Sequence, residues 1–129
     1  MLFESAPDIQ KRINKIIDTL DLTHMKPQNI VCMRSRESKA RAYARIWSLP
    51  RIWQKALGVD AHYILEVLSE RFDKQLADDQ DRTLIHELMH IPKTFSGALV
   101  PHSCFGKKID RRSVEKLYRV FVLKRSGLY

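Results

Sequence analysis

Two histidines four residues apart, His86 and His90, stand in the stretch DQDRTLIHELMHIP. Residues at that spacing project from one side of a helix, one turn from each other. Leu84, Ile85, Leu88 and Met89 give the same segment an apolar side. Pro92 biases Ile91 away from helical angles, so the pattern predicts a helix over 79–91. Asp78, with Asp81 three residues on, can cap its start. The segment must therefore be a helix held to a core by one face while the other presents imidazoles.

The rest of the chain has to supply that core. Its 129 residues suffice for one, and 1–129 reads as a single domain. Ile9, Ile13, Ile16, Ile17 and Leu20 recur at helical spacing over Asp8 to Leu22, with Pro7 before them. Beyond Pro27 the period changes. NIVCMRSR (29–36) is β-rich, and in RAYARIWSLP Ala42, Ala44 and Ile46 alternate with Tyr43, Arg45 and Trp47. RIWQKALG can be a strand or a short turn of helix. AHYILEVLS (61–69) is β-rich again, and Ser69 can cap a short helix through ERFDKQL. These runs predict a small, mostly antiparallel sheet of three or four strands. In the tail, Val114, Leu117, Tyr118 and Phe121 predict a last helix, stopped by Gly127, that closes the core opposite the sheet. The fold class is α+β.

Several classes of function are excluded or disfavoured. No apolar run approaches the roughly 20 residues needed to cross a bilayer, and the N-terminus has no basic-then-apolar leader. Cys32 and Cys104 are too few to staple a fold and read as reduced thiols of a cytoplasmic protein. The net charge of +8 is concentrated in 34–45 and 107–125. Solvation explains such a face without any partner. Weak DNA contact through it is the alternative, although no zinc-finger spacing or aromatic-basic RNA signature accompanies the charge.

The chemistry centres on HELMH. Two imidazoles one turn apart can hold one zinc ion, each at about 2.0–2.1 Å. Glu87, next to His86, can reach a water on the metal without being a ligand. Zinc brings the pKa of such a water towards about 7, and a carboxylate can take its proton. Catalytic zinc sites use three protein ligands. The position six residues after His90 is Ser96, which rules out the metzincin pattern. His102, in GALVPHSCF, lies on a return loop that Gly97 can turn and Pro101 can stiffen. It is the first choice for the third ligand, with Glu115 and Cys104 left open. His24 and His62 are isolated in sequence. Tyr118, His24 and Arg112 are conceivable second electrophiles, and nothing in the sequence selects one.

The stretch from ARIWSLP to HELMHIPKTFSGALVPH resembles the family of phage metallopeptidases, which also occurs in archaea. The order of elements resembles the minimal zincin-like peptidases, SprT-like proteins among them. The resemblance implies a minimal zincin-like fold, with His86, His90 and His102 as zinc ligands and Glu87 as catalytic base. It implies a protein or peptide substrate, bound as an extended strand against a sheet edge. The strand over 61–69 is the expected edge. A monomer without membrane contact is expected. A second reading treats HELMH as the staple of a zinc-stabilised DNA-binding or regulatory module, which has no use for Glu87.

Overall fold

The computed structural model describes residues 1–104 and 106–127. The elements run β1 (Leu2–Ser5), α1 (Pro7–Thr19), a 3-10 turn (Pro27–Asn29), β2 (Ile30–Arg36), β3 (Ala44–Ser48), α2 (Arg51–Leu57), β4 (Tyr63–Leu68), α3 (Ser69–Phe72), α4 (Ala77–Met89), β5 (Ser103–Cys104), β6 (Lys107–Lys108) and α5 (Arg111–Arg125). The α+β expectation holds, with five helices around a four-stranded sheet. The sheet order is β1-β2-β4-β3. The two outer pairings are antiparallel and the central one, β2 with β4, is parallel. No helix among the described residues is long and apolar enough to cross a membrane.

Helix α1 starts at Pro7, whose fixed φ suits the first helical position. Its stripe of Ile9, Ile13, Ile16 and Ile17 is buried. The inward residues of β2 and β4, including Ile30, Cys32, Leu65 and Val67, complete this core with Leu84, Ile85 and Leu88 of α4. Burial raises the Cys32 thiol to about 12, so it stays protonated and inert. On the far side α5 packs on α4 and α1 and buries Val114 and Phe121. Its start is a reciprocal cap: Asp110 accepts from the Ser113 N–H, and the Ser113 hydroxyl accepts from the Asp110 N–H. Gly127, at φ +76, follows its end.

One local expectation changes, one strand is added and one open alternative is decided. The strand over 61–69 is central, because β3 pairs along its outer side; the edges of the sheet are β1 and β3. Strand β1 has no alternation that sequence could reveal, since all four residues are exposed. The ambiguous RIWQKALG is helical, ended by Gly58 in the left-handed region at φ +66.

The capping expectations also fail. Leu76 is the cap of α4, and no side chain bonds there. Asp78 and Asp79 still favour its positive end. Asp81 instead accepts from Arg12 of α1 at 2.7 Å and pairs with Arg125 of α5 at 3.4 Å, joining three helices. Ser69 opens α3, but its hydroxyl is buried without a hydrogen-bond partner and the cap position is Leu68.

Part of the charge in the charge-rich segments is paired within the fold. Arg34 pairs with Asp8 and Asp73, Arg36 with Glu4, and Arg45 with Glu66. In α5, Arg119 pairs with Glu115 and Lys124 with Asp21. Arg111, Arg112 and Lys116 stay exposed at the start of that helix.

Ile13 is fully buried where α1 meets the sheet and α4. Ile13→Ala should cost about 2–5 kcal/mol, because the removed atoms leave a void that the packed core cannot close. Urea unfolding measures this. A loss below about 1 kcal/mol would mean that the α1 stripe does not anchor the core.

Candidate metal centre

Helix α4 and the chain returning after it build the site. Leu84, Ile85 and Leu88 face the core, which fixes the rotation of the helix about its axis. His86 and His90 then emerge together, with ring centroids 5.2 Å apart. The helix ends at Met89, and His90 takes the cap position with its N–H bonded to the Glu87 carbonyl. The expected helix end at Ile91 is thus two residues too late, within the tightening that Pro92 imposes from outside.

The return loop is fastened at three places. Gly97 sits at φ +94, where a Cβ would lie 2.8 Å from the Leu49 carbonyl oxygen and 2.3 Å from Gln54 Nε2. Gln54 donates to the Leu49 and Ser96 carbonyls, which ties the loop to α2. The Tyr63 hydroxyl accepts from the Gly97 N–H at 2.9 Å and donates to the Ala98 carbonyl at 2.8 Å. The third fastening is at the histidine itself. Val100 N–H donates to the His90 carbonyl at 2.7 Å, and His90 Nδ1 donates to the Val100 carbonyl. A carbonyl can only accept, so His90 carries its proton on Nδ1 and keeps the Nε2 lone pair free.

This path delivers His102 to the other two. His86 Nε2 and His102 Nε2 lie 3.2 Å apart. The His102 ring is 5.3 Å from that of His86 and 4.6 Å from that of His90. One nitrogen from each of His86, His90 and His102 falls within 4.8 Å of the others. Two imidazole nitrogens bound tetrahedrally at about 2.0–2.1 Å would be roughly 3.3 Å apart, so the spacing suits an ion between them. Three imidazoles so placed are a donor set that can hold a metal ion. Burial and the neighbouring imidazoles hold His86 below the ordinary histidine range, and burial does the same for His90. Both are therefore neutral near pH 7, as ligands must be.

Glu87 lies half-buried beside this cluster, and desolvation pushes its carboxyl up to about 7. Glu115, the alternative ligand, borders a hollow beside His86 and is paired with Arg82, which donates to it at 2.8 Å and holds its carboxyl below the usual range. The Cys104 side chain lies outside the described residues. His62 bonds its Nδ1 to the Asp60 carbonyl, and His24 lines a separate cavity behind α4. Tyr118 stacks on the Arg82 guanidinium at 4.1 Å. None of Tyr118, His24 and Arg112 borders the hollow of about 260 Å³ beside His86; Tyr43 and Arg111 do. The role of Val100 was not legible in sequence, because a backbone carbonyl leaves no residue signature.

Gly97→Ala tests the fastening. The added methyl meets backbone, and an alanine at this φ is strained, so the segment from Gly97 to His102 must shift. The variant should lose about 1–3 kcal/mol of stability and bind a divalent metal at least roughly tenfold more weakly. Metal titration with a competing chelator reads this. Unchanged affinity would mean that the loop does not set the position of His102.

A search of curated proteins and one of solved structures each found no match. The family model described as "Putative phage metallopeptidase" matches residues 1–122. A metallopeptidase needs a metal ion and acts on protein or peptide bonds, and the three converging histidines can bind such an ion. The match takes in nearly the whole chain, site included, and the chain therefore belongs to the phage metallopeptidase family.

Proposed function

We propose that the protein is a zinc-dependent endopeptidase, with His86, His90 and His102 as metal ligands and Glu87 as general base. The observation that supports this most is the convergence of three imidazoles on one point, with a half-buried carboxylate one residue from the first. Bound there, zinc would polarise the scissile carbonyl and acidify a water. Glu87 takes the proton from that water at a carboxylate oxygen as the oxygen attacks carbon. It then gives the proton to the amine nitrogen as the C–N bond breaks. A carboxyl raised towards neutrality is suited to both transfers, and a cation beside it favours the ionised form that must act first.

Strand β3 is the better place for the substrate. It is a sheet edge and packs beside α4. An extended peptide can continue the ladder there through its backbone groups, which gives affinity with little demand on sequence. Tyr43, just ahead of β3, and Arg111 border the hollow beside His86, so they are placed to meet the substrate near the scissile bond. The alternative, a zinc-stabilised DNA-binding or regulatory module, would close the site with a fourth protein ligand and would not need Glu87. Any weak DNA contact would fall to Arg111, Arg112 and Lys116, whose affinity would drop steeply with salt.

Glu87→Gln separates the readings. Glutamine keeps the shape but takes no proton. The variant should retain its zinc and its melting temperature and lose about 10²–10⁴-fold in hydrolysis of an unfolded protein substrate. Wild-type activity matched by the variant would eliminate Glu87 as the base.

The same pair gives a pH test without metal. The folded pKa of Glu87, about 7, lies above its unfolded value of 4.5. Its contribution to stability is therefore complete below pH 4.5 and is lost as pH rises through 7. Metal-free wild type should lose on the order of 1–3 kcal/mol relative to metal-free Glu87→Gln between pH 5 and 8. Chemical unfolding at both pH values measures the gap. A constant gap would show that Glu87 is not desolvated.

A further inference from the structure

Behind α4, on the side away from His86 and His90, lies a cavity of about 450 Å³. It is bordered by α1, α4, α5 and β6 and opens to solvent. Its walls are aliphatic, with Ile16, Leu20, Ile85, Leu88, Ile109 and Leu117 among them. Its volume falls within the roughly 300–1,000 Å³ of small-molecule sites. The polar side chains of the lining are all basic: His24, Lys93, Lys107 and Lys108. Among the described residues no carboxylate is in the lining, and the three lysines are exposed. Lys93 lies close enough to His24 to help keep it neutral, after burial.

We infer that this cavity is a binding site for a small amphipathic anion: an alkyl chain among the aliphatic walls, and an anionic head, such as a carboxylate, at the lysines. Each half of the argument excludes other occupants. A chain without interior polar atoms fits walls that are mostly aliphatic. A peptide would bring amides that such walls leave unsatisfied, at a cost for each. A cationic head would meet three like charges, offset by the carboxylate of Asp110 near Lys108. An anion there gains from all of them, with the apolar tail supplying most of the affinity. The site is separate from the metal centre but shares a wall with it, because Val100 lines the cavity and holds His90 through its carbonyl.

Isothermal titration of the full chain with sodium decanoate tests the site, with decyltrimethylammonium as the same tail carrying the opposite charge. Decanoate should bind saturably at one site per chain, and the cation should not. The surface double variant Lys93→Glu/Lys108→Glu should weaken decanoate by roughly tenfold or more through loss and reversal of two exposed charges. Leu117→Trp, which places a ring in the cavity, should abolish binding while melting stays at or above that of wild type. No saturable binding to wild type overturns the proposal. So does decanoate affinity that is unchanged in the charge-reversed variant, which keeps the test decisive if Leu117→Trp fails to fold. Equal binding of the two probes would show a bare apolar void and also overturn it.

Discussion

The exchange of two hydrogen bonds between His90 and Val100 is the contact on which the site depends. It joins the end of α4, where the helix has run out of its own partners, to the loop that Gln54 and Tyr63 also fasten. One bond satisfies a helix-terminal carbonyl. The other fixes which imidazole nitrogen carries the proton. A single short segment therefore ends the helix, sets a tautomer and aims the chain so that His102 arrives two residues later. The outer partner of a metal-binding histidine is commonly a carbonyl or carboxylate for this reason.

Around that contact, rigidity is unevenly distributed. His90 is buried, His86 is half-buried and His102 is exposed. The first two belong to a helix locked by Leu84, Ile85 and Leu88, with Asp81 binding it through Arg12 and Arg125 to both neighbouring helices. Desolvation at Glu87 follows from the same packing. The helix that presents His86 and His90 also withdraws the Glu87 carboxylate from water and so raises its pKa.

Much of this was legible in the residues, for definable reasons. The pairing of His86 with His90 is a property of one helix, and helical periodicity reads it directly. His102 could be reached because Gly97 and Pro101 mark where the loop turns and stiffens. The order of strands was not legible. The run YILEVL of β4 was read as an edge from its place before α4, although an almost unbroken apolar run fits a strand flanked on both sides. Strand β1 carries no alternation, because it lies exposed on the sheet border. Asp81 has the right spacing for a cap, but its partners are 69 residues behind it and 44 ahead. No local rule reaches across those distances.

The separation of His102 from the helix has a topological consequence. An ion bound by both His90 and His102 closes a ring of about a dozen residues, as a disulfide would. By the loop-entropy relation for such cross-links, a ring of that size removes about 3 kcal/mol of chain freedom from the unfolded state. The ion would then be a reversible covalent-like staple as well as a reagent. A molecule without it would then lack the proposed chemistry and be slacker around Val100 at once, so inactive copies would also be the ones most open to degradation.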